Sequence, residues 1–262
     1  MSRARLKRAL SVRDRAEAAI VPLLEQHAAR LEQIADERRL TDAEAQARMH
    51  RNAQRLYDLD AVAIGAEGIM PAIATWMTAS PGFTVTKARD AVLARTRLAS
   101  LPQPTSVAEA PNLLVARDAI RRLRPVLGDR AGIAIVLPDA SALAAQLGVP
   151  EATDWASEVL VEVIRFFGAE EPDALLLLGT EPVVDGTIES LAEFFGVALV
   201  PIGPAAPAGV VILSVADFCA LDASSAVPSG WLYTTDAELA PASDPQRVKS
   251  AISLLHARSR SK

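Results

Sequence analysis

Short apolar runs alternate with amphipathic helical patterns along most of this chain, and that rhythm narrows the fold more than any other feature. Ile133 to Leu137 (IAIVL) and Ala174 to Leu178 (ALLLL) contain no polar residue. Strands apolar on both faces belong to parallel sheets covered by helices. Further runs lie at Ala18 to Leu24 (AAIVPLL), Asp60 to Gly65, Val197 to Ile202, Val210 to Leu213 and Trp231 to Thr234. Helical patterns fall between several of them, at Asn112 to Leu127, Thr153 to Phe167 and Thr187 to Phe195. Another helix opens at Thr41-Asp42-Ala43-Glu44, with Thr41 as its cap, and runs to about Tyr57. Asp244-Pro245 starts a last helix that reaches about His256. Gly82 to Thr86 reads as a small extra strand.

Strand, helix and strand in repetition predict an α/β fold, and 262 residues suit one (β/α)8 TIM-type barrel. Seven strands are clear, so Ser214 to Gly230 must supply the eighth, or that unit is reduced or irregular. The competing architecture is an open doubly wound sheet. No Gly-rich phosphate loop follows any strand, which removes the usual support for its nucleotide-binding form. One domain is expected over 1–262, with 1–16 as an N-terminal helical segment whose basic residues, Arg3 to Arg15, form a solvated face.

The net charge of −5 argues against a nucleic-acid-binding surface. A single cysteine, Cys219, can form neither an internal disulfide nor a cysteine metal cluster, and fits a reducing cytoplasm. No apolar run reaches the roughly 20 residues of a membrane helix. Met70, Trp76 and Met77 form an apolar patch that serves as a pocket lid, a homodimer contact or core.

Three stretches resemble one superfamily. They are Pro22 to Glu67, Pro111 to Gly148 and Trp231 to Ile252 (WLYTTDAELAPASDPQRVKSAI). Together they are similar to the uroporphyrinogen decarboxylases and the zinc-dependent, corrinoid-linked methyltransferases, with this chain a short, divergent member. The resemblance implies a barrel with its cleft at the strand carboxyl ends. It also implies losses. The methyltransferases carry His-x-Cys on one strand and a later Cys, where this chain has Val200-Pro201-Ile202 and Ala237. Zinc that activates a thiol needs such ligands, so no metal and no cofactor are expected. The decarboxylases hold substrate carboxylates with an Arg-rich stretch, where this chain offers His27 and Arg30. Their Ser-Asp after the second strand is replaced by Ala66-Glu67.

The candidate catalytic residues are Glu67, His27 and Glu181. Glu67 and Glu181 follow buried strands at the pocket end, and His27 follows the first strand with an imidazole suited to proton transfer. The candidate substrate-binding residues are Arg30, Asp139, Tyr233, Thr235 and Asp236. Each has a plainer role: Asp139 as a helix cap, Asp236 as a turn residue, His27 and Arg30 as a helix face. The expected ligand is a carboxylated or tetrapyrrole-like small molecule, bound or decarboxylated without metal. The alternatives are a zinc-less, methyl-carrier-binding methyltransferase-like protein and a non-catalytic barrel subunit.

Overall fold

The computed structural model describes residues 2–11, 17–80, 82–179, 186–204 and 206–259. In chain order the elements are α1 (Ser2–Leu10), β1 (Ala19–Ile20), α2 (Glu25–Leu31), α3 (Asp36–Thr41), α4 (Ala43–Tyr57), β2 (Ala61–Ile64), α5 (Met70–Ala79), α6 (Val85–Leu93), α7 (Pro104–Val107) and α8 (Pro111–Leu127). There follow β3 (Gly132–Pro138), α9 (Ala140–Gln146), α10 (Thr153–Gly168), β4 (Ala174–Leu178), α11 (Gly186–Phe195), β5 (Ala198–Ile202), β6 (Val210–Leu213), α12 (Val215–Ala220), β7 (Leu232–Thr235) and α13 (Pro245–Ser259).

Every strand pairing is parallel, as the apolar runs predict. The strands form two sheets, β1-β7-β6 and β2-β3-β4-β5. Among the described residues no ladder joins β1 to β2 or β5 to β6. The Asp60 carboxylate spans the first gap, accepting from the Ile20 N–H at 3.0 Å. Strand side chains alternate between two faces. Ala19, Ala63, Val136, Leu176, Val200 and Leu232 therefore turn inward into one cluster shared by both sheets. On the opposite face of β3, Ile133, Ile135 and Leu137 pack with the helices.

Helix α1 closes the amino-terminal end of the strands. Leu6, 1% exposed, joins the inner cluster, and a side chain on Gly132 would overlap it. Arg3 Nε donates to Asp173 at 2.9 Å, and Arg5 Nη1 donates to Asp60 at 2.8 Å. The basic residues of α1 are therefore not the solvated face expected: two of them are ion-paired with buried carboxylates that precede β4 and β2.

The other differences have local causes. Ser214 to Gly230 contains no strand. The Ser214 hydroxyl caps α12, and Asp222 closes a turn with Ser224 and Ser225. Gly82 to Thr86 is not a strand either, because the Thr84 hydroxyl caps α6. Asp42, not Thr41, caps α4, accepting from the Glu44 and Ala45 N–H groups. Strand β1 stops before Pro22, which has no N–H for a ladder. Met70 and Trp76 are buried in the core, with Met77 packed against it.

Candidate functional site

The carboxyl ends of β1, β2 and β7 bring one charged cluster together. Gly65 and Gly68 have positive φ, 77° and 63°, which glycine adopts without strain, and the turn they make sets Glu67 over the end of β2. Directly after the apolar run of β1 comes Glu25, 1% exposed. Its Oε1 accepts from Arg39 Nη1 at 2.6 Å, and its Oε2 accepts from the Gly65 N–H at 2.8 Å. Burial pushes the Glu25 carboxyl up, but Arg39, His50 and the Gly65 N–H together hold it below its ordinary value. His50 Nε2 lies 3.7 Å from Glu25 Oε2. Burial draws the His50 imidazole below its ordinary value, against the pull of Glu25.

Glu67 is the outer member. Its Oε1 accepts from Arg89 Nη2 at 2.9 Å and from the Gln26 side-chain amide. Arg39 Nη2 stands 3.7 Å away. Arg89 also donates to Asp36 at 2.8 Å, and Arg39 Nε is 3.6 Å from Asp36. Asp36, Arg89, Glu67 and Arg39 thus form a ring of alternating charge that ties α3 and α6 to the turn after β2. Gln26 links Glu67 to a further carboxyl, since its backbone N–H donates to Glu238 Oε1 at 2.6 Å. Burial, and then Glu25, push the Glu238 carboxyl well above its ordinary value. Two carboxyls with different surroundings therefore stand at this end, Glu238 raised by burial and Glu67 held by Arg89 and Gln26.

The other predicted residues are placed differently. His27 is fully buried; its Nε2 lies 2.7 Å from Tyr57 Oη. Burial lowers the His27 imidazole, and burial with Asp244 raises the Tyr57 phenol to about 12. Arg30 reaches outward and donates to the Pro241 carbonyl at 3.0 Å. His27 and Arg30 thus meet near Pro241, and neither lines the cavity beside Glu67 and Arg39. Asp139 caps α9, its Oδ1 accepting from the Ala142 N–H at 2.6 Å, and the absence of a side chain on Gly179 makes room for its carboxylate. Tyr233 faces the outer cluster and donates to the Pro228 carbonyl. Thr235 ties β7 to β1, accepting from the Leu23 N–H at 3.1 Å. Asp236 accepts from the Val215 N–H at the start of α12. Glu181 lies outside the described residues.

Glu25, Arg39, Arg89, His50 and Glu238 are the members that sequence reasoning missed. Glu25 had a signal: it follows an apolar run as Glu67 does. Arg39 and Arg89 sit on short helices far apart in sequence, with no local pattern to mark them.

Among the described residues, zinc does not fit this end of the molecule. Among the described residues no three His, Cys, Asp or Glu side chains are grouped to hold a metal ion. The end of β5, where the resemblance implies ligands, is Val200-Pro201-Ile202. The carboxylate of Glu25 is already engaged by a guanidinium and a backbone N–H.

No protein-family model matches this chain, and no curated protein matches it. A solved structure of a methyltransferase from Methanosarcina mazei aligns with a TM-score of 0.61, at 12% identity, over 98% of each chain. The likeness is one of fold. The two chains share the α/β arrangement from end to end. No helix among the described residues is long and apolar enough to cross a membrane.

Proposed function

We propose that this chain is a methyltransferase-like protein that binds a methyl carrier or methyl acceptor at the carboxyl ends of its strands, without a zinc of its own. In this reading the two sheets form one TIM-type barrel with a reduced eighth unit, and ligand enters over Glu67 and Glu238, where barrel chemistry is found. The end-to-end fold likeness to a methyltransferase carries the proposal. The charged cluster supports it, because it supplies proton handling in place of a Lewis acid.

Methyl transfer forms one bond to the methyl carbon and breaks another. The acceptor's lone pair makes the new bond, and the carrier keeps the electron pair of the old one. An acceptor that begins as a thiol or an ammonium must lose a proton, and a carrier that leaves through nitrogen must gain one. Glu67, oriented by Arg89 and Gln26, is placed to accept an N–H or a proton. Glu238, whose carboxyl burial and Glu25 push up, is the counterpart that would give one. The outward turn of Arg30 leaves a tetrapyrrole decarboxylation with less support, since no Arg from that stretch faces the cluster.

Spectroscopic titration with methylcobalamin, beside uroporphyrinogen turnover, tests the proposal. The expected result is saturable corrinoid binding, weakened at least tenfold in Glu67→Gln, and no decarboxylation. Decarboxylation without corrinoid binding would refute it.

A further inference from the structure

Beneath the ring of alternating charge lies a small cavity lined by Arg39, Gln46, Glu67 and Asn112, together with apolar residues of α5. It leaves about 10 Å³ for the centre of a water-sized molecule. Arg39, Gln46 and Asn112 are 2%, 3% and 6% exposed. Each nevertheless holds buried polar atoms with no hydrogen-bond partner: Nε and Nη2 of Arg39, Oε1 of Gln46 and Oδ1 of Asn112. Glu67 Oε2 is in the same condition. The Asn112 amide cannot turn to hide its oxygen, because its Nδ2 donates to the Met70 carbonyl at 2.9 Å.

Buried polar groups left without partners cost free energy, so such a set in one cavity points to a ligand that satisfies it. The lining defines that ligand. Glu25 and Glu67 are offset by Arg39 and Arg89, so an ion of either sign would enter without a counter-charge. The unpartnered atoms include donors on Arg39 and acceptors on Gln46, Asn112 and Glu67, so the occupant must both donate and accept. A cavity of about 10–15 Å³ by this measure holds one water, which needs 2–4 polar partners. The 3.7 Å gap between Arg39 Nη2 and Glu67 Oε1 is too long for a direct hydrogen bond and fits a bridging molecule.

We infer that the cavity is a specific site for one neutral, water-sized molecule, water itself in aqueous buffer, bound by Arg39, Gln46, Asn112 and Glu67. The site joins α3, α4, α8 and the turn after β2, and it stands whether or not the chain binds a methyl carrier. A crystal structure at high resolution would show a density peak within about 2.7–3.2 Å of Asn112 Oδ1 and at least two of the other atoms. Water-17O relaxation dispersion counts long-lived internal waters in solution. The Asn112→Leu protein is expected to hold one fewer than the native protein. Should Asn112→Leu fail to fold, the native crystal decides alone. An empty cavity there, or an unchanged water count in a folded Asn112→Leu protein, overturns the inference.

Discussion

Replacing Arg39 by Met would leave the Glu25 carboxylate buried with its main counter-charge gone. Arg39 Nη1 donates to Glu25 Oε1 at 2.6 Å, and both side chains are 2% exposed. After the change Oε2 keeps the Gly65 N–H, while Oε1 has no donor. Removing one partner of a buried pair costs about 3–5 kcal/mol, because the other charge stays out of water. At ~2–4 °C per kcal/mol for a chain near this size, the melting temperature should fall by roughly 6–20 °C. Replacing both partners, as in Arg39→Met with Glu25→Leu, should return most of that loss, because no unpaired charge remains. The loss should also depend on pH. In the native protein Glu25 is held below its ordinary value of 4.5, so its contribution is present above that pH and fades as pH falls through the depressed value. In Arg39→Met burial is no longer opposed by Arg39, and the Glu25 pKa should rise above 4.5. The deficit of the variant should therefore be smaller at pH 4.5 than at pH 7. Calorimetry of the native protein, both single variants and the double variant at the two pH values measures this. Additive losses with no pH dependence would refute the buried-pair account.

Other perturbations test other parts of the structure. Burial raises the Asp60 carboxyl from 3.8 to about 7, with Arg5 and the Ile20 N–H opposing it and Asp58 adding to it. A raised acid contributes stability that is full below 3.8 and is lost as pH climbs to about 7, so Asp60→Asn should flatten the stability profile across that window in urea titrations. Leu6→Ala removes the side chain that closes the amino-terminal end and should cost about 3–5 kcal/mol by chemical denaturation. Gly132→Ala should destabilise the native chain and be better tolerated in the Leu6→Ala background, since the two side chains compete for one space. Asp139→Ala should cost about 0.5–2 kcal/mol through loss of the α9 cap, with no change in ligand affinity beyond that.

The strands were legible because burial on both faces writes itself as uninterrupted apolar runs. The runs at β3 and β4 were found to within a residue of their ladders. One stretch has no such run: Ser214 to Gly230 is expected either to supply an eighth strand or to leave that unit reduced or irregular. Ser214 and Asp222 organise it as a capped helix and a turn through their own side chains. Such side-chain-to-backbone bonds compete with ladder formation, and nothing in an apolar count reports them. The connection from β5 to β6 illustrates the converse: it is short and visible in the sequence as PAAPAG, and its described residues, 203–204 and 206–209, contain no helix.

The site was harder to read for a different reason. A residue at a strand end has a local signature, an apolar run followed by a polar side chain, and Glu67 was found by it. Its partners have none. Arg39 and Arg89 come from α3 and α6, fifty residues apart, and meet only because Asp36 and Glu67 lie between them. An arginine in a helix is ordinarily a solvated charge, so composition ranks it low. The structure places Arg39 at 2% exposure, where the same guanidinium orders three carboxylates: Glu25, Asp36 and Glu67. Charge at this end is therefore set by the interior cation Arg39 rather than by the His27 and Arg30 pair that the sequence suggests. In the proposed reading, a ligand approaching Glu67 meets a carboxylate already oriented by Arg89 and Arg39 and gains from it by offering N–H groups.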